Sequence, residues 1–214
     1  MALITFLILQ CFYKKTTVDK VTGMSKEKYV GDVLEKGATR TSMFYVYSME
    51  EGARIAQAAA MTFAVAKNII RQNRNFCYGP DTKVYLKGMK FTFDQTVVDA
   101  FLRPPMCELA AIPSSPRKRV SVRGKVTRVT KVTSTAGGSR QQKIYLQDRS
   151  GIAAVLQLWD SQVMPDITVS ASLTAYAVVP KGNGAFCLSS TKSMEILMEV
   201  EEMVEGIVFA VDDG

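Results

Sequence analysis

The pattern of hydrophobic and polar positions changes near residue 102. Before it, apolar residues recur at both helical and strand spacing, which predicts a mixed α/β region over residues 1–102. After it, short alternating runs separated by polar turns predict a β-domain over residues 119–197. Residues 103–118 lie between them and contain four prolines. Because proline fixes φ and has no amide donor, this stretch is predicted to be a linker or an extended strap.

The N-terminal region is predicted to begin with a buried strand. Ala2–Phe12 is an uncharged, mostly apolar run of 11 residues, whereas a membrane-spanning helix needs about 20. Its positive charges follow the run instead of preceding it, unlike a signal peptide. We therefore expect an intracellular protein, nuclear if the source is eukaryotic, with no membrane partner.

Helices and strands are predicted to share the rest of residues 1–102. Ser48 and Glu51 form an S-x-x-E capping box, which marks a helix start. That helix is expected to run to about Arg74. The other predicted elements are a helix over Lys26–Lys36, a strand over Met43–Tyr47 and a strand over Lys83–Phe93.

The C-terminal region is predicted to contain five strands. The first begins at Val120 and alternates to Val126, after which the phase of its apolar residues slips; a slip beside Gly124 indicates a bulge or strong bend. A polar loop, Thr133–Gln142, follows it. The other four strands are predicted over Lys143–Gln147, Ile152–Trp159, Ile167–Val179 and within Ala185–Leu197.

Charge is unevenly distributed along this region. The chain has 27 Lys and Arg against 20 Asp and Glu. Residues 117–143 hold nine basic residues and no acidic one, whereas residues 195–214 hold seven acidic residues and no basic one. Such asymmetry favours a polyanionic partner for the basic segment over a merely solvated face.

The absence of histidine excludes several kinds of active site. It removes Ser-His-Asp and Cys-His nucleophile systems and all His-containing metal sites. The four cysteines have neither CxxC spacing nor a local cluster, which argues against zinc and favours free thiols. We therefore expect a non-enzymatic protein without a cofactor or a metal.

Three motifs in order resemble a known family. They are Val122–Val126 (V-R-G-K-V), Ile144–Gly151 (I-Y-L-Q-D-R-S-G) and Val155–Trp159 (V-L-Q-L-W). Together they resemble the single-stranded-DNA-binding OB domains of replication protein A over about residues 117–197. The resemblance implies an OB-type barrel that binds single-stranded DNA. Residues 1–102 carry no comparable motif.

Side-chain parity predicts which barrel residues face outward. Ile144, Leu146, Leu156 and Leu158 share the inner side, so Tyr145, Gln157 and Trp159 fall on the outer side with basic residues of the first strand. Cations for phosphates and aromatic platforms for bases are what single-strand binding requires. Tyr145, Tyr176 and Phe186 are all eligible as a second stacking aromatic. The predicted nucleic-acid-binding residues are Arg119, Arg123, Lys125, Arg128, Arg140, Lys143, Tyr145, Gln157, Trp159 and Phe186.

The acidic segment, Glu195–Gly214, of which residues 198–214 follow the predicted barrel as a tail or helix, allows two interpretations. In one, a helix or final strand packs its apolar residues on the barrel or on another subunit. In the other, it recruits a protein partner and competes with nucleic acid. The expected function is single-stranded nucleic-acid binding, with DNA preferred to RNA through the resemblance. The alternative is an OB-fold interaction subunit of a replication, repair or telomere complex, and the oligomeric state stays open.

Overall fold

A computed structural model describes residues 3–18, 22–115, 119–136, 138–182 and 186–199. The chain divides into two compact units, Met1–Leu102 and Arg103–Gly214. Among the residues described, no helix is long and apolar enough to cross a membrane.

The N-terminal unit consists mainly of short strands. Its described elements are β1 (Leu3–Ile8), β2 (Tyr13–Val18), β3 (Ser25–Glu35), β4 (Ser42–Val46), α1 (Met49–Ile55), β5 (Thr62–Lys67), β6 (Ile70–Gln72), β7 (Asn75–Cys77), β8 (Lys83–Tyr85) and α2 (Gln95–Leu102).

These strands form a closed barrel. β1 pairs with β3 and β5, β3 pairs with β4, and β4 pairs in parallel with β7, which in turn pairs with β6. β5 and β6 are successive parts of one stretch of chain, so the path returns to β1. Phe6, Phe44 and Phe76 fill the interior, with edge-to-face ring contacts at centroid distances of 5.6 and 6.3 Å.

Of the two predicted N-terminal helices, one is wrong and the other is shorter than predicted. The stretch predicted as a helix over Lys26–Lys36 is strand β3, because Tyr29, Gly31 and Val33 alternate toward the interior. Gly31 is required there, since a Cβ atom would lie 2.5 Å from the ring of Phe12. A helix does begin after Ser48, whose hydroxyl accepts the Glu51 amide at 3.3 Å, but it ends at Ile55.

The remainder of that predicted helix consists of turns and the two strands β5 and β6. Its alanine-rich sequence fits a period of two as well as 3.6, and in β5 Ala64 and Ala66 face the core. The strand predicted over Lys83–Phe93 is limited to Lys83–Tyr85. The unit therefore contains both helices and strands, as predicted, but with much less helix.

The C-terminal unit is the predicted OB-type barrel. Its described strands are β9 (Val120–Val129), β10 (Thr133–Ser134), β11 (Arg140–Gln147), β12 (Ala153–Trp159), β13 (Ser172–Pro180), β14 (Cys187–Ser189) and β15 (Glu195–Glu199). β9 pairs with β11 and β13, β11 with β12, β12 in parallel with β14, and β14 with β13. This closes a five-stranded barrel in which β14 and β15 are two parts of the fifth strand.

The proline-rich segment belongs to this unit as far as it is described. It contains a 3-10 helix, Leu109–Ser114, whose Leu109 and Ile112 are buried in the barrel core. The Ser121 amide donates to the Pro105 carbonyl at 3.0 Å, and the Cys107 amide donates to the Ser121 carbonyl at 2.7 Å. The segment is therefore a strap packed on the barrel.

The first part of the acidic segment completes the barrel. Glu195–Glu199 pair with β13 as strand β15, and Ile196 packs against the core. The rest of the segment, from residue 200, lies outside the described residues.

The first barrel strand contains the irregularity that the sequence predicts. Arg128 lies opposite Tyr145 and Val126 opposite Leu146, so Thr127 is an extra residue in β9. The bulge is thus three residues beyond Gly124. Gly124 has a different role: a Cβ atom there would lie 3.0 Å from the Gln147 carbonyl oxygen and 3.2 Å from the Leu146 Cβ. It allows β9 and β11 to approach closely.

We expect Gly124→Ala to destabilise the C-terminal barrel by about 1–3 kcal/mol, the usual range for an overpacked site. Trp159, the only tryptophan, lies in this barrel, so its fluorescence during urea unfolding measures the effect. Lys125→Ala, at the exposed next position, is the control. A Gly124→Ala protein as stable as wild type would show that β9 and β11 can move apart to accommodate the methyl group without loss of stability.

Candidate nucleic-acid interface

The pairing of β11 with β12 arranges their outward side chains in rows, each row made of two paired residues. Tyr145 lies opposite Val155, Lys143 opposite Gln157, and Gln141 opposite Trp159. Successive rows are about 6.8 Å apart, because each strand residue rises about 3.4 Å. Tyr145 and Trp159 are therefore separated by about 14 Å along the strands, with Lys143 between them.

The rows continue onto neighbouring strands. On one side, β9 places Arg128 opposite Tyr145 and Lys125 opposite Gln147. On the other side, β14 places Ser189 opposite Gln157. We call this surface the outer strip and define it by Lys125, Arg128, Lys143, Tyr145, Gln157, Trp159 and Lys181.

Tyr145 is covered by a cation from the neighbouring strand. The Arg128 guanidinium carbon lies 3.8 Å from the centroid of the Tyr145 ring, well within the range of a cation–π contact. Arg128 is exposed and Tyr145 half-buried. The pair therefore combines a flat stacking surface with a charge that is accessible to a phosphate.

Trp159 is half-buried at the other end of the strip and lies outside the main barrel core. Its indole Nε1 donates to the Ser189 Oγ at 3.1 Å, and its backbone amide donates to the Ser190 Oγ at 3.2 Å. These two bonds hold the ring against the fifth strand. The orientation of the ring is thus fixed before any ligand arrives.

Lys181 is a strip residue that the sequence analysis missed. Its Nζ lies 5.7 Å from the Trp159 ring centroid and also contacts the Oε1 of buried Gln157. Lys181 reaches this position because its amide donates to the Cys187 carbonyl at 2.9 Å, at the start of β14. The parallel pairing of β12 with β14 places Cys187 beside β12 and, with it, Lys181 close to Trp159. Side-chain parity within a single strand cannot predict such a position.

Four predicted residues lie away from the strip. Arg123 is exposed on β9 but forms an ion pair with Glu199 of β15. Arg119 donates to the Ser193 hydroxyl. Arg140 begins β11 at the end of the barrel, and its amide donates to Asp160 Oδ1 at 3.0 Å. Phe186 is exposed at the rim and has the parity of inward-facing Leu188.

Tyr176, the other eligible aromatic, lies on another part of the surface. It lies opposite Glu195 in the β13–β15 ladder, and the Arg103 guanidinium carbon lies 5.3 Å from its ring centroid. Arg103 also forms an ion pair with Glu195 at 3.0 Å. The cation beside Tyr176 is therefore neutralised by an acid, unlike the cation beside Tyr145.

No metal-ligating group of three or more His, Cys, Asp or Glu side chains occurs within the described part of the chain. The chemical groups that the outer strip does present are ammonium and guanidinium cations and aromatic rings, while its one amide, that of Gln157, is buried and contacts Lys181. Such groups bind anions and planar rings.

The hairpin turn between β11 and β12 fixes the register of the strip. Asp148 Oδ1 accepts the Ser150 hydroxyl at 2.6 Å and the Ser150 and Ile152 amides at 3.0 Å each. The Ser150 hydroxyl is the main cause that lowers the pKa of Asp148 below its ordinary value. Burial opposes this effect, and the Ile152 and Ser150 amides add to it. The ionised carboxylate is therefore the form that stabilises the turn.

We expect Asp148→Asn to lower the melting temperature most above pH 5, where the wild-type carboxylate is ionised. A lowered folded-state pKa gives stability that is lost as the pH falls through that pKa. The difference between variant and wild type should thus shrink below about pH 4. Thermal melts monitored by Trp159 fluorescence across this range test it, with the exposed Asp166→Asn as control. A difference that is independent of pH would contradict the electrostatic role of Asp148.

Comparisons with known proteins found likenesses among solved structures. No family model matches this chain, and no curated protein matches it. Among solved structures, a replication protein A heterotrimer bound to single-stranded DNA matches with 12% identity, 94% coverage of this chain and 49% coverage of that one, and a TM-score of 0.53. A murine DNA-binding protein bound to double-stranded DNA matches with 11% identity, coverage of 92% and 95%, and a TM-score of 0.47. The p204 HINb domain matches with 10% identity, coverage of 91% and 95%, and a TM-score of 0.48.

The first of these likenesses confirms the resemblance to replication protein A as a matter of fold. This chain spans about half of the length of that chain. The match covers nearly all of this chain and so extends into residues 1–102, for which the sequence indicated no relative. At this identity it shows the fold alone. The C-terminal unit is an OB-type barrel, as its strand pairing independently shows.

Proposed function

We propose that the C-terminal barrel binds single-stranded nucleic acid along the outer strip, with DNA preferred, and carries out no chemistry on it. The observation that carries this proposal is the pairing of each strip aromatic with a cation, Arg128 on Tyr145 and Lys181 near Trp159. Bases stack on such rings whatever their sequence, while the cations follow the phosphates. The single-stranded DNA in the replication protein A structure supports the preference for DNA.

The rows of the outer strip suit a ligand in which charged groups alternate with planar rings. Lys143 lies in the row between Tyr145 and Trp159, and Lys125 lies one row beyond Tyr145. Within the described residues neither lysine forms an ion pair. A strand of nucleic acid that crosses these rows would meet an aromatic ring or a cation in each of them.

Binding should depend on salt. If three to five cations of the barrel contact phosphates, log K should fall with log[salt] at a slope of roughly −2 to −4, with about −0.7 for each contact on a single strand. Fluorescence polarisation with single-stranded DNA, single-stranded RNA and duplex DNA over a series of salt concentrations measures this slope. A slope near zero, together with a stable complex between this chain and another protein, would favour the alternative function, an OB-fold interaction subunit.

Trp159→Ala and Lys125→Ala should weaken binding in different ways. Loss of a stacked base should cost about 1–3 kcal/mol of binding free energy with little change in the salt slope. Loss of one phosphate contact should make the slope shallower by about 0.7. Salt-resolved titrations of both variants, together with thermal melts, separate these effects.

Arg123→Ala provides a matched control two residues from Lys125 on the same strand. Because Glu199 already pairs with Arg123, its removal should change the salt slope less than Lys125→Ala does. Wild-type affinity in a normally folded Trp159→Ala protein would refute the stacking role. An Arg123→Ala effect equal to that of Lys125→Ala would place the ligand across β13 and β15 instead of the outer strip.

A further inference from the structure

The N-terminal barrel has the same strand connectivity as the C-terminal one. In the N-terminal barrel, the first to fifth strands are β1, β3, β4, β5 and β7. In both barrels the first strand pairs with the second and the fourth, the third pairs in parallel with the fifth, and the fifth is interrupted. β3 and β4 are thus the counterparts of β11 and β12. The outward side of β3 and β4 corresponds to the outer strip.

This outward side holds a cluster of tyrosines and lysines. Tyr13 lies opposite Val30, which lies opposite Tyr45, and in the next row Lys15 lies opposite Lys28. Thr17 lies opposite Lys26 in the row after that. We call this surface the tyrosine–lysine face and define it by Tyr13, Lys15, Lys26, Lys28, Tyr45 and Tyr47.

Lys28 connects the two central rings of this face. Its Nζ lies 4.6 Å from the Tyr45 ring centroid and 5.6 Å from that of Tyr47. Tyr47 is 55% exposed, Tyr45 is half-buried, and Lys15 and Lys26 are exposed. The Tyr47 ring is therefore accessible and the Tyr45 ring accessible in part, and both lie among positive charges.

Around Lys28 the strands of this face separate acid from base. Glu27 has the opposite parity to Lys26 and Lys28, and it forms an ion pair with Lys14 at 2.8 Å on the other face of the β2–β3 hairpin. Asp32 shares the face, but it lies opposite Met43, two rows from Lys28 and on the side away from Lys26. The three lysines of the face therefore make the part of it from Lys28 to Lys26 positive.

We propose that the tyrosine–lysine face is a second single-strand-binding site, which takes its own short stretch of nucleic acid. This inference rests on the proposed function of the outer strip, because the chemistry is the same: exposed rings for bases and lysines for phosphates. It gives a role to residues 1–102 that their sequence did not indicate.

The number of bound oligonucleotides tests the inference on the full chain. The probe is an oligodeoxythymidine of about eight nucleotides, within the site size of one OB barrel. Calorimetric titration at low salt should give about two oligonucleotides per wild-type chain. Trp159 fluorescence reports the C-terminal site alone, because the chain has no other tryptophan.

The double variant Tyr45→Ala/Tyr47→Ala should bind about one oligonucleotide, with an unchanged midpoint for the Trp159 signal. Lys28→Glu should weaken the same site by at least tenfold and serves as the second variant, since it leaves both rings in place. Tyr85→Ala is the matched control. Tyr85 is 46% exposed and has Lys67 at 5.6 Å from its ring, but it lies on β8, outside the face.

The outcomes separate the two proposals. A wild-type stoichiometry of one with a quenched Trp159, or a stoichiometry of two in the double tyrosine variant, overturns the second site and leaves the outer strip intact. Binding that the double tyrosine variant abolishes while Trp159 stays silent overturns the outer strip instead. Loss of one site in Tyr85→Ala as well would also overturn the assignment to the tyrosine–lysine face.

Discussion

The parallel pairing of β12 with β14 is the contact on which the rest of the C-terminal barrel depends. It joins Val155 to Cys187, Leu156 to Leu188 and Gln157 to Ser189. By closing the sheet it buries Leu156 and Leu188 completely and leaves no open edge between the third and fifth strands. It also brings Ser189 under the Trp159 indole. The same pairing therefore both closes the core and orients the Trp159 ring.

The charges around the barrel are divided by strand. The acids of β15 pair with Arg103 and Arg123, so they neutralise cations beside β13 and the start of β9. The cations of the outer strip are Lys125 and Arg128 in the second half of β9, Lys143 on β11 and Lys181 directly after β13. With side chains that are 52% and 59% exposed, the Arg123–Glu199 pair is worth at most about 1 kcal/mol. It therefore shapes the electrostatic field more than it stabilises the barrel.

The C-terminal fold could be predicted from sequence because its signals are local. Strict alternation in β9, the Asp148–Gly151 turn and the aromatic at the end of β12 each specify a strand or a hairpin within a few residues. The outward direction of Tyr145 and Trp159 follows from parity, and their choice as stacking residues follows from parity together with the family resemblance. Lys181 could not be predicted, since its position depends on a pairing between strands about 30 residues apart. The pairing of Arg123 with Glu199 spans 76 residues and has no local signal either.

The N-terminal unit was harder to predict because its sequence satisfies two periods. Alanines at positions 58, 59, 60, 64 and 66 permit a helix, and intrinsic helix propensity favours one. The barrel overrides that preference, because Ala64 and Ala66 are small enough to lie opposite Phe6 and Ile4 in the β1–β5 ladder. Long-range contacts then favour strands over helices: Gly31 lies against the Phe12 ring, and the phenylalanine rings of the interior pack on one another. These contacts are not visible in the local sequence pattern. The same pairing of strands that closes the barrel also places Tyr13, Lys28 and Tyr45 on one face. The chemistry of this surface is therefore set by tertiary pairing as well.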